Sequence, residues 1–329
     1  MSTAQEFSIL EELRWFMKNR VVFTAAELNI FDIIEAGEAR DAEALARLKG
    51  VNSRGLTRLL DCLVGLGYLE KKDGEYSVTE KGSYLTSKHP RTILPMVLHN
   101  AHLWKNWTHL TDTVTLGSNP RRIPVMADEF SRNAFIRAMH VIARSLAEDV
   151  VGSYDASDRS VLLDIGAGPG TYTIAFLRKY PHMRAIVFDL PEVIPLSREY
   201  IASEKLEDRV SFVAGDFYHD LLPEGSDLAL LSAIIHQNSP EENLALYRSV
   251  NRALKPGGKL LIRDHIMSDD RVWPPDGALF AINMLVSTPG GDTYTFSEVE
   301  KTLKAAGFRD VRLVRKGPKM DCLVEAVKA

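Results

Sequence analysis

Near Ser160 the chain changes its hydrophobic period, and this change limits the possible folds more than any other property of the sequence. The chain continues in short, apolar, β-rich runs, and helical stretches of ten or more residues separate all of them except the last pair: VLLDIGAG, AIVFDL, VSFVAGDF, LALLSAII, KLLIRDHI and VRLVRK. This alternation predicts a parallel sheet with helices on both faces. The closing run MDCLVEAVK predicts an antiparallel edge strand. We therefore expect a doubly wound α/β core over residues 160–329.

The first ninety residues have a different organisation. From Phe7 to Ile34, apolar residues recur at helical spacing and predict two consecutive amphipathic helices. Two shorter helical patterns follow within residues 41–67. The segment GYLEKKDGEYSVTEKG then predicts two strands joined by a turn at Asp73 and Gly74. This order of helices followed by a hairpin is typical of a winged helix.

The charge of this region argues against DNA binding. Residues 1–90 contain 12 lysines and arginines against 14 aspartates and glutamates, and the second short helix offers only Arg54 and Arg58. Phosphate contacts supply most of the affinity for DNA. We therefore expect no nucleic acid partner, and we interpret residues 1–98 as a mainly helical domain that serves dimerisation.

The composition is that of a soluble globular protein, with 45% hydrophobic residues, 26% charged residues and a net charge of −4. No run reaches the roughly 18 apolar residues that a membrane span needs. The first residues carry Glu6, Glu11 and Glu12, where a signal peptide would be basic and then apolar. We expect a cytoplasmic protein without a membrane partner. Cys62 and Cys322 form no CxxC pair and are predicted to be buried thiols.

Residues 99–150 predict a helical segment that is rich in Trp, Met and His. His99 and His102 stand at i, i+3, but no acidic or thiol partner lies nearby at ligand spacing, so no metal site is predicted. A helix that lines an aromatic pocket fits this composition better. We interpret residues 99–150 as a helical linker and pocket-lining segment of a domain that covers residues 99–329.

The first strand of the α/β core leads into the loop D-I-G-A-G-P-G. Gly166, Gly168 and Gly170 predict a turn where the backbone approaches a ligand closely. The dinucleotide fingerprint is G-x-G-x-x-G, with its third glycine one position later, and this difference disfavours NAD. Asp164 before the loop suits a positively charged ligand better than a pyrophosphate.

Two further carboxylates stand at predicted strand ends. Asp189 ends the second strand of the core, where a carboxylate can accept hydrogen bonds from both ribose hydroxyls. Asp216 ends the third strand. Together with Asp164, these carboxylates predict a crevice for a cationic adenosyl ligand.

These motifs carry a resemblance to a known family. The run LLDIGAGPGTYTIAFLRKYP, followed by FDLPEVI, RVSFVAGDFY, LKPGGKLLIRDHI and PGGDTYT, resembles the S-adenosylmethionine-dependent small-molecule O-methyltransferases of plants and bacteria. The segment AAELNIFD resembles their N-terminal winged-helix dimerisation domain. The resemblance covers nearly the whole chain. It implies a Rossmann-like sheet, S-adenosyl-L-methionine as the cofactor, a small aromatic or polyketide-like acceptor and a homodimer.

The resemblance implies that His236 is the general base. The run LALLSAII predicts a strand that ends at this histidine, beside the cofactor crevice. The chemistry gives an independent argument. A phenol of pKa ~10 is a poor nucleophile at neutral pH, and an imidazole of pKa ~6.5 on its hydroxyl can take the proton as the oxygen attacks the methyl group.

The sequence departs from the family beside this histidine. Gln237 and Asn238 stand where the family usually has Asp and Trp, and Asp264 and Thr293 stand where it usually has two glutamates. A carboxylate on the second imidazole nitrogen orients the ring. Asp264 is predicted to have this role. Thr293 supplies no charge, so the base could be weaker, could be tuned for a more acidic acceptor, or the transfer chemistry could be lost.

The resemblance also assigns binding residues. The predicted cofactor contacts are Asp164, Gly166, Gly168, Gly170, Asp189, Leu190, Asp216, Phe217 and Ser232. The predicted acceptor contacts are Asn100, Trp104, Phe130, Met139, His140, Phe280, Asn283 and Met284. Asn100 and Met139 match family positions, and the others are chosen because side chains of their kinds suit a flat aromatic acceptor.

Three other functions stay open at this point. The first is that this member of the family methylates carbon or nitrogen, or does not methylate at all. A dehydrogenase is disfavoured by the glycine spacing. A ligand-sensing winged-helix regulator without catalysis is disfavoured by the acidic N-terminal domain.

Overall fold

The structure, a computed structural model, describes residues 3–329, with side chains from Gln5 onward. It divides into two compact units. The first runs to Lys105 and includes Val125–Val141, and the second consists of Asn106–Pro124 and Ile142–Ala329. The predicted domain boundary between residues 98 and 99 stays a prediction.

Helices and one hairpin make up the chain before the large sheet. In chain order they are α1 (Thr3–Leu13), α2 (Trp15–Glu27), α3 (Ile30–Ala36), α4 (Ala42–Lys49), α5 (Ser53–Gly65), β1 (Leu69–Lys72), β2 (Glu75–Val78), α6 (Glu80–Ser83), α7 (Leu94–Trp107), α8 (Leu110–Leu116), α9 (Glu129–Ala143) and α10 (Ala147–Gly152). Of these, α8 and α10 lie in the second unit.

Local signals in the sequence place the elements of the first unit. The Asp41 carboxylate accepts hydrogen bonds from the N–H groups of Glu43 and Ala44 and thereby caps α4, and Asn52 caps α5 in the same way. The turn between β1 and β2 has positive φ at both Asp73 and Gly74, the combination that a two-residue hairpin of type I′ requires. The predicted hairpin turn is confirmed.

Two predictions for this unit are wrong. The chain from Phe7 to Ile34 forms three helices rather than two, because the second helix ends at Glu27 and Asn29 adopts a left-handed φ of 56°. Asparagine tolerates this conformation better than most residues. Cys62 is exposed, not buried, because it lies on the solvent side of α5; Cys322 is buried.

Apolar side chains of α1 and the start of α2 remain exposed, although the same unit has a well-packed core around Phe31, Leu45 and Leu60. Exposures of 50% or more occur at Phe7, Ile9, Leu10, Leu13, Trp15, Phe16 and Met17. A contiguous exposed apolar patch of this kind marks an interaction surface.

The second unit contains the α/β core. In chain order its elements from Val161 onward are β3 (Val161–Ile165), α11 (Thr171–Lys179), β4 (Arg184–Asp189), α12 (Ile194–Ser203), β5 (Val210–Ala214), β6 (Ser226–Ser232), α13 (Pro240–Ala253), β7 (Leu254–Asp264), β8 (Ile266–Met267), α14 (Pro275–Ser287), β9 (Tyr294–Thr295), α15 (Phe296–Ala305), β10 (Phe308–Arg315) and β11 (Cys322–Lys328).

These strands form one seven-stranded sheet in the order β10-β11-β7-β6-β3-β4-β5. The five strands from β7 to β5 are parallel, and β11 and β10 continue the sheet in antiparallel pairs. One apolar core packs under α13 and α15, and the other packs under α10, α11 and α12. The doubly wound, Rossmann-like sheet predicted from the sequence is confirmed.

Two details of the predicted sheet are wrong. The strand β11 is not at the edge but lies between β7 and β10; its first five residues are buried, whereas only two residues of β10 are. Residues 215–225, which the structure describes in full, contain no helix, so β5 and β6 are joined by a loop.

The strand that leads to His236 also ends earlier than predicted. It stops at Ser232, because Ala233 adopts a left-handed φ of 59°. The chain then forms a short 3₁₀ turn over Ile235–Gln237. His236 therefore lies on a turn beyond the strand, at the carboxyl edge of the sheet.

Candidate active site

The glycine loop follows β3 at the carboxyl edge of the sheet. Gly166 and Gly168 have φ values of 67° and 55°, a conformation that favours glycine. A Cβ on Gly166 would lie 2.5 Å from the Cδ1 atom of Ile234, whereas a Cβ on Gly168 would meet no atom within 4 Å. The loop is therefore tightly packed at Gly166 and has open space at Gly168, as a ligand cradle requires.

Two buried carboxylates lie below this loop. The Asp164 Oδ2 atom accepts a hydrogen bond from Thr173 at 2.6 Å, and the Asp189 carboxylate accepts bonds of 2.7 Å from the N–H groups of Gly168 and Leu190. Burial raises the pKa of Asp164 to about 7 and that of Asp189 to about 6. The structure thus brings the first two predicted cofactor carboxylates and the glycine loop together.

The third predicted carboxylate lies beyond β5. Asp216 accepts a hydrogen bond of 2.9 Å from the N–H of Tyr218 through its Oδ1 atom, and it is partly exposed. The ring of Phe217 is half-buried, would be 3.5 Å from a Cβ on Gly166, and packs on Tyr218. Asp216 and Phe217 therefore lie beside the glycine loop.

These residues fit an adenosyl ligand that carries a positive charge. The Oδ1 atom of Asp164 is buried and has no hydrogen-bond partner among the described residues, so it can still accept one. The Asp189 carboxylate retains lone pairs for two hydroxyls, and Phe217 offers an apolar surface for a flat base. The hydroxyls of a ribose and a positively charged group would therefore both meet carboxylate oxygens in this site.

His236 and Asp264 form a close pair. The Nδ1 atom of His236 lies 2.9 Å from each carboxylate oxygen of Asp264, and both residues are buried. Burial acts to raise the pKa of Asp264, but His236, Arg263 and the N–H of His265 outweigh it, and the pKa lies below its usual range. An ionised carboxylate on Nδ1 leaves Nε2 as the nitrogen that can exchange a proton with a ligand.

The turn that carries His236 is held by a buried hydrogen-bond network. Asn238 accepts a bond from the hydroxyl of Tyr218 and donates one of 3.1 Å to Asn243. Asn243 in turn donates to the backbone oxygen of Ile235 at 2.9 Å, and Tyr294 donates to the backbone oxygen of Asn238. Asn238, which sequence comparison marks only as a departure from the family, is fully buried and anchors this turn.

At the position of Thr293, where the family usually has a glutamate, this chain has no second carboxylate for His236. Thr293 is buried, and its backbone oxygen accepts a hydrogen bond of 2.7 Å from Arg271. The neighbouring Asp292 pairs with the same arginine at 3.2 Å. Within residues 3–329, Asp264 is the only carboxylate within ion-pair distance of His236.

The second unit contributes three of the predicted acceptor residues, all on α14. The ring of Phe280 meets the ring of His236 edge-on, with centroids 4.8 Å apart, and it also contacts His265. Asn283 accepts a hydrogen bond of 2.9 Å from the indole N–H of Trp107. Met284 is buried. Phe280 is thus the acceptor candidate that the structure places against the histidine.

The other predicted acceptor residues belong to the first unit. Asn100 lines a cavity of about 400 Å³ together with Phe23 and Tyr84, and Trp104 packs edge-on against Phe23. Met139 and His140 are half-buried on α9, and Phe130 is exposed. Their role as acceptor contacts stays a prediction.

Several residues at the edge of the sheet escaped the sequence analysis. Arg263 is buried and donates a hydrogen bond of 2.7 Å to Ser232, the residue predicted at the methionine end of the cofactor. Tyr218, Asn243 and Tyr294 support the His236 turn. A lone arginine in an apolar run was a visible signal, because arginine is rarely buried without a partner.

Three further findings concern metal ligands, the two histidines of α7 and membrane-spanning helices. Among the described residues, no three His, Cys, Asp or Glu side chains are grouped as metal ligands. His99 and His102 are both buried, and His102 lies 3.2 Å from the hydroxyl of Ser131. No helix within residues 3–329 combines the length and the apolar character needed to cross a bilayer.

Comparison with known proteins identifies the family. Residues 107–309 match the O-methyltransferase domain and residues 10–88 match the O-methyltransferase dimerisation domain. The chain is 33% identical to 3-hydroxy-5-methyl-1-naphthoate 3-O-methyltransferase of Streptomyces sahachiroi, over 95% of this chain and 92% of that protein. It is 31% identical to acetylserotonin O-methyltransferase of Gallus gallus, over 94% of each.

A solved structure agrees with this assignment. The crystal structure of human N-acetylserotonin methyltransferase in complex with S-adenosylmethionine has a TM-score of 0.80 and 28% identity, and the match covers 100% of this chain and 99% of that one. The dimerisation domain supports assembly as a homodimer. The chain therefore belongs to the O-methyltransferase family and is an S-adenosylmethionine-dependent enzyme that methylates small molecules.

Proposed function

We propose that this enzyme transfers the methyl group of S-adenosylmethionine to a hydroxyl of a small aromatic or polyketide-like acceptor, with His236 as the general base and Asp264 as the residue that orients it. The observation that supports this assignment is the contact of the His236 Nδ1 atom with both oxygens of Asp264 at 2.9 Å. An imidazole held in this way has one free nitrogen and a carboxylate that stabilises its protonated form.

The residues divide the work of the transfer. S-adenosylmethionine would supply a methyl group bonded to a sulfonium sulfur; when that carbon–sulfur bond breaks, the sulfur part leaves as a neutral thioether, S-adenosylhomocysteine. The Nε2 atom of His236 takes the acceptor's hydroxyl proton as the new oxygen–carbon bond forms. The positive charge that the imidazole gains lies against the ionised Asp264. The ring of Phe280 packs edge-on against the imidazole.

The cofactor contacts follow the order of the strands. We assign the ribose hydroxyls to Asp189, the adenine to Asp216 and Phe217, and the methionine end to Ser232. Leu190, Gly166, Gly168 and Gly170 form the backbone surface under the ligand. Asp164 lies buried below the loop, where an ionised carboxylate attracts a cationic ligand.

The acceptor is proposed to be flat and aromatic. Two relatives act on bicyclic aromatic compounds by their names, a naphthoate and acetylserotonin. In this chain we assign acceptor contacts to Phe280, Asn283 and Met284 from one unit.

A panel of candidate acceptors tests this function. The purified enzyme and S-adenosylmethionine are incubated with phenols, catechols, hydroxynaphthoates, hydroxyindoles and, as non-hydroxyl controls, the matching anilines and methyl ethers. We expect S-adenosylhomocysteine and a product heavier by one methyl group from at least one hydroxyl compound, and none from its methyl ether. Turnover of anilines or ring carbons alone would replace the proposal with N- or C-methylation.

The homodimer would cover the exposed apolar side chains of α1 and α2. Phe7, Leu13 and Trp15 are each more than half exposed. A second copy of this chain is the partner that the dimerisation domain implies. Burial of this surface between two copies would also remove the aggregation risk that it poses to a monomer.

Binding of the cofactor is expected to release protons near neutral pH. Burial raises the pKa of Asp164 to about 7 and that of Asp189 to about 6 in the free protein, and a cation and two hydroxyl donors favour the ionised forms. The affinity for S-adenosylhomocysteine, which keeps the ammonium group, should therefore rise between about pH 5.5 and 8. Titration calorimetry in two buffers with different ionisation enthalpies measures the released protons directly.

The sign of the stability change follows from the same pKa values. A carboxyl group whose pKa is raised by folding stabilises the fold below its unfolded value of about 3.9, and this contribution is lost as the pH rises through its folded value. The cofactor-free protein should lose this part of its stability up to about pH 7. Asp189→Asn should release fewer protons on binding. Equal binding enthalpies in both buffers would contradict the linkage.

A further inference from the structure

Arg263 occupies an unusual position at the carboxyl edge of the sheet. It lies on β7, in register with Ser232 on the adjacent parallel strand β6. Only 5% of the residue is exposed. On the far side of β6 lies β3, which leads into the glycine loop. The guanidinium group is therefore buried beside the proposed methionine end of the cofactor site.

The hydrogen bonds of Arg263 leave its charge without a direct partner. The Nε atom donates to the Ser232 hydroxyl at 2.7 Å, and the Nη1 atom donates to the backbone oxygen of Met320 at 2.7 Å. Throughout residues 3–329 no carboxylate lies within 4.0 Å of this guanidinium. Arg263 acts to lower the pKa values of Asp164 and Asp264, but it forms an ion pair with neither.

A buried and unpaired cation needs an explanation. Removing a guanidinium from water is costly in free energy unless an anion compensates for it. Structural arginines normally meet this cost with a carboxylate, as Arg315 does with Asp321 at 2.9 Å in this chain. The environment of Arg263 is thus suited to a bound anion.

A second unpartnered donor lies beside it. The guanidinium carbon of Arg263 is 4.8 Å from the centre of the Tyr172 ring, and the buried hydroxyl of Tyr172 donates a hydrogen bond to none of the described residues. Tyr172 lies in the first turn of α11, which starts directly after the glycine loop. Two buried donors from separate elements therefore lie next to the cofactor loop.

We propose that Arg263, assisted by the hydroxyl of Tyr172, binds the α-carboxylate of the methionine part of S-adenosylmethionine. This carboxylate is the only anionic group of the cofactor. Charge-assisted hydrogen bonds from a guanidinium to a carboxylate are among the strongest in proteins. The positive charge of the cofactor also has a counterpart, because Asp164 accepts a hydrogen bond from Thr173, next to Tyr172 on α11, and its Oδ1 atom has no hydrogen-bond partner among the described residues.

The order of the strands is consistent with this assignment. Asp216 follows β5, Asp189 ends β4, the glycine loop follows β3, Ser232 ends β6 and Arg263 lies on β7. These five strands are consecutive neighbours in the sheet. A ligand with its adenine at β5 and its ribose at β4 would extend its amino acid end across β3 toward β6 and β7.

Binding measurements with truncated ligands test the assignment without any turnover. The three ligands are S-adenosylhomocysteine, its decarboxylated form S-adenosyl-3-thiopropylamine, and 5′-methylthioadenosine, which lacks the whole amino acid. The variants are Arg263→Gln, Arg263→Lys and Tyr172→Phe, with the exposed Arg309→Gln as the matched control. Titration calorimetry of the full-length protein gives each Kd.

The proposal predicts that loss of the carboxylate and loss of the arginine are not additive. The wild type should bind the decarboxylated ligand about 10- to 100-fold more weakly than S-adenosylhomocysteine. Arg263→Gln should weaken S-adenosylhomocysteine by a similar factor and change the Kd of 5′-methylthioadenosine less than about twofold. The affinity of Arg263→Lys for S-adenosylhomocysteine should lie between those of the wild type and Arg263→Gln. Tyr172→Phe should bind S-adenosylhomocysteine about threefold more weakly and the other two ligands as the wild type does.

Several results would overturn the proposal. Equal affinity of the wild type for S-adenosylhomocysteine and its decarboxylated form would exclude a carboxylate contact, and this measurement needs no variant. Equal weakening of all three ligands by Arg263→Gln would show that the arginine supports the fold instead. If Arg263→Gln does not fold, Arg263→Lys and Tyr172→Phe carry the comparison. No result depends on the role of His236.

Discussion

His236→Ala is expected to lower kcat by about 1,000-fold for an ordinary phenol at neutral pH, within the range of about 100- to 10,000-fold that general base catalysis supplies. The variant loses the group that takes the hydroxyl proton but keeps the glycine loop and the carboxylates around it. The Kd of S-adenosylhomocysteine should therefore change less than about threefold. Formation of S-adenosylhomocysteine, followed by mass spectrometry, measures the rate.

A matched control separates this effect from loss of the fold. His182 is exposed, and one of its ring nitrogens lies 2.9 Å from the backbone oxygen of Arg159, far from the site in sequence. His182→Ala should keep the wild-type rate. If His236→Ala keeps its rate as well, the base assignment is wrong, and transfer to carbon or nitrogen becomes the better interpretation.

Asp264→Asn is expected to lower kcat by about 10- to 100-fold. The amide has the same shape and can still accept a hydrogen bond from the Nδ1–H of His236 and from the N–H of His265. It cannot stabilise the imidazolium by charge. The KM of the acceptor should change little, because the pair acts on the proton and not on the position of the ring system.

The same substitution has a predicted effect on stability in acid. The pKa of Asp264 lies below its usual range, so its contribution to stability is present above the unfolded value of about 3.9 and is lost as the pH falls through the folded value. Urea unfolding between about pH 2 and 5 should show a shallower loss of stability in Asp264→Asn than in the wild type.

Asp292→Asn is the control for the predicted loss of kcat in Asp264→Asn. Asp292 precedes Thr293 and pairs with Arg271, so its carboxylate is engaged away from His236. The rate should stay near the wild-type value. A large loss of rate in Asp292→Asn, together with a small loss in Asp264→Asn, would show that Asp264 is not the carboxylate that orients His236.

Signals that the sequence carries locally predicted the core of the site. The glycines at Gly166 and Gly168 need positive φ, and the spacing of Asp164 and Asp189 follows from the βαβ repeat. Each of these signals extends over fewer than about thirty residues. The family resemblance then added the role of His236.

Contacts between distant segments could not be predicted in the same way. The network around Asn238 joins residues from the loop after β5, from α13 and from Tyr294. The pairing of Arg263 with Ser232 depends on the register of β6 against β7. A single sequence carries no direct record of such registers, because any shift by two residues keeps the same faces.

Two local errors had physical causes that the sequence conceals. The strand β6 ends at Ser232 because Ala233 adopts a positive φ, a conformation that alanine rarely takes and that no sequence rule indicates. The closing run MDCLVEAVK was expected to form an antiparallel edge strand. It instead pairs with β7 on one edge and with β10 on the other, and its first five residues are buried.

The most direct test of the account compares wild type and His236→Ala over a series of phenols whose pKa values fall from about 10 to about 7 at one fixed pH near 7.5. An acidic phenol ionises without help, so the ratio of the two rates should decrease from about 1,000 toward less than about 10 along the series. A ratio that stays constant, or that is near one for every phenol, would contradict the assignment of His236 as the base.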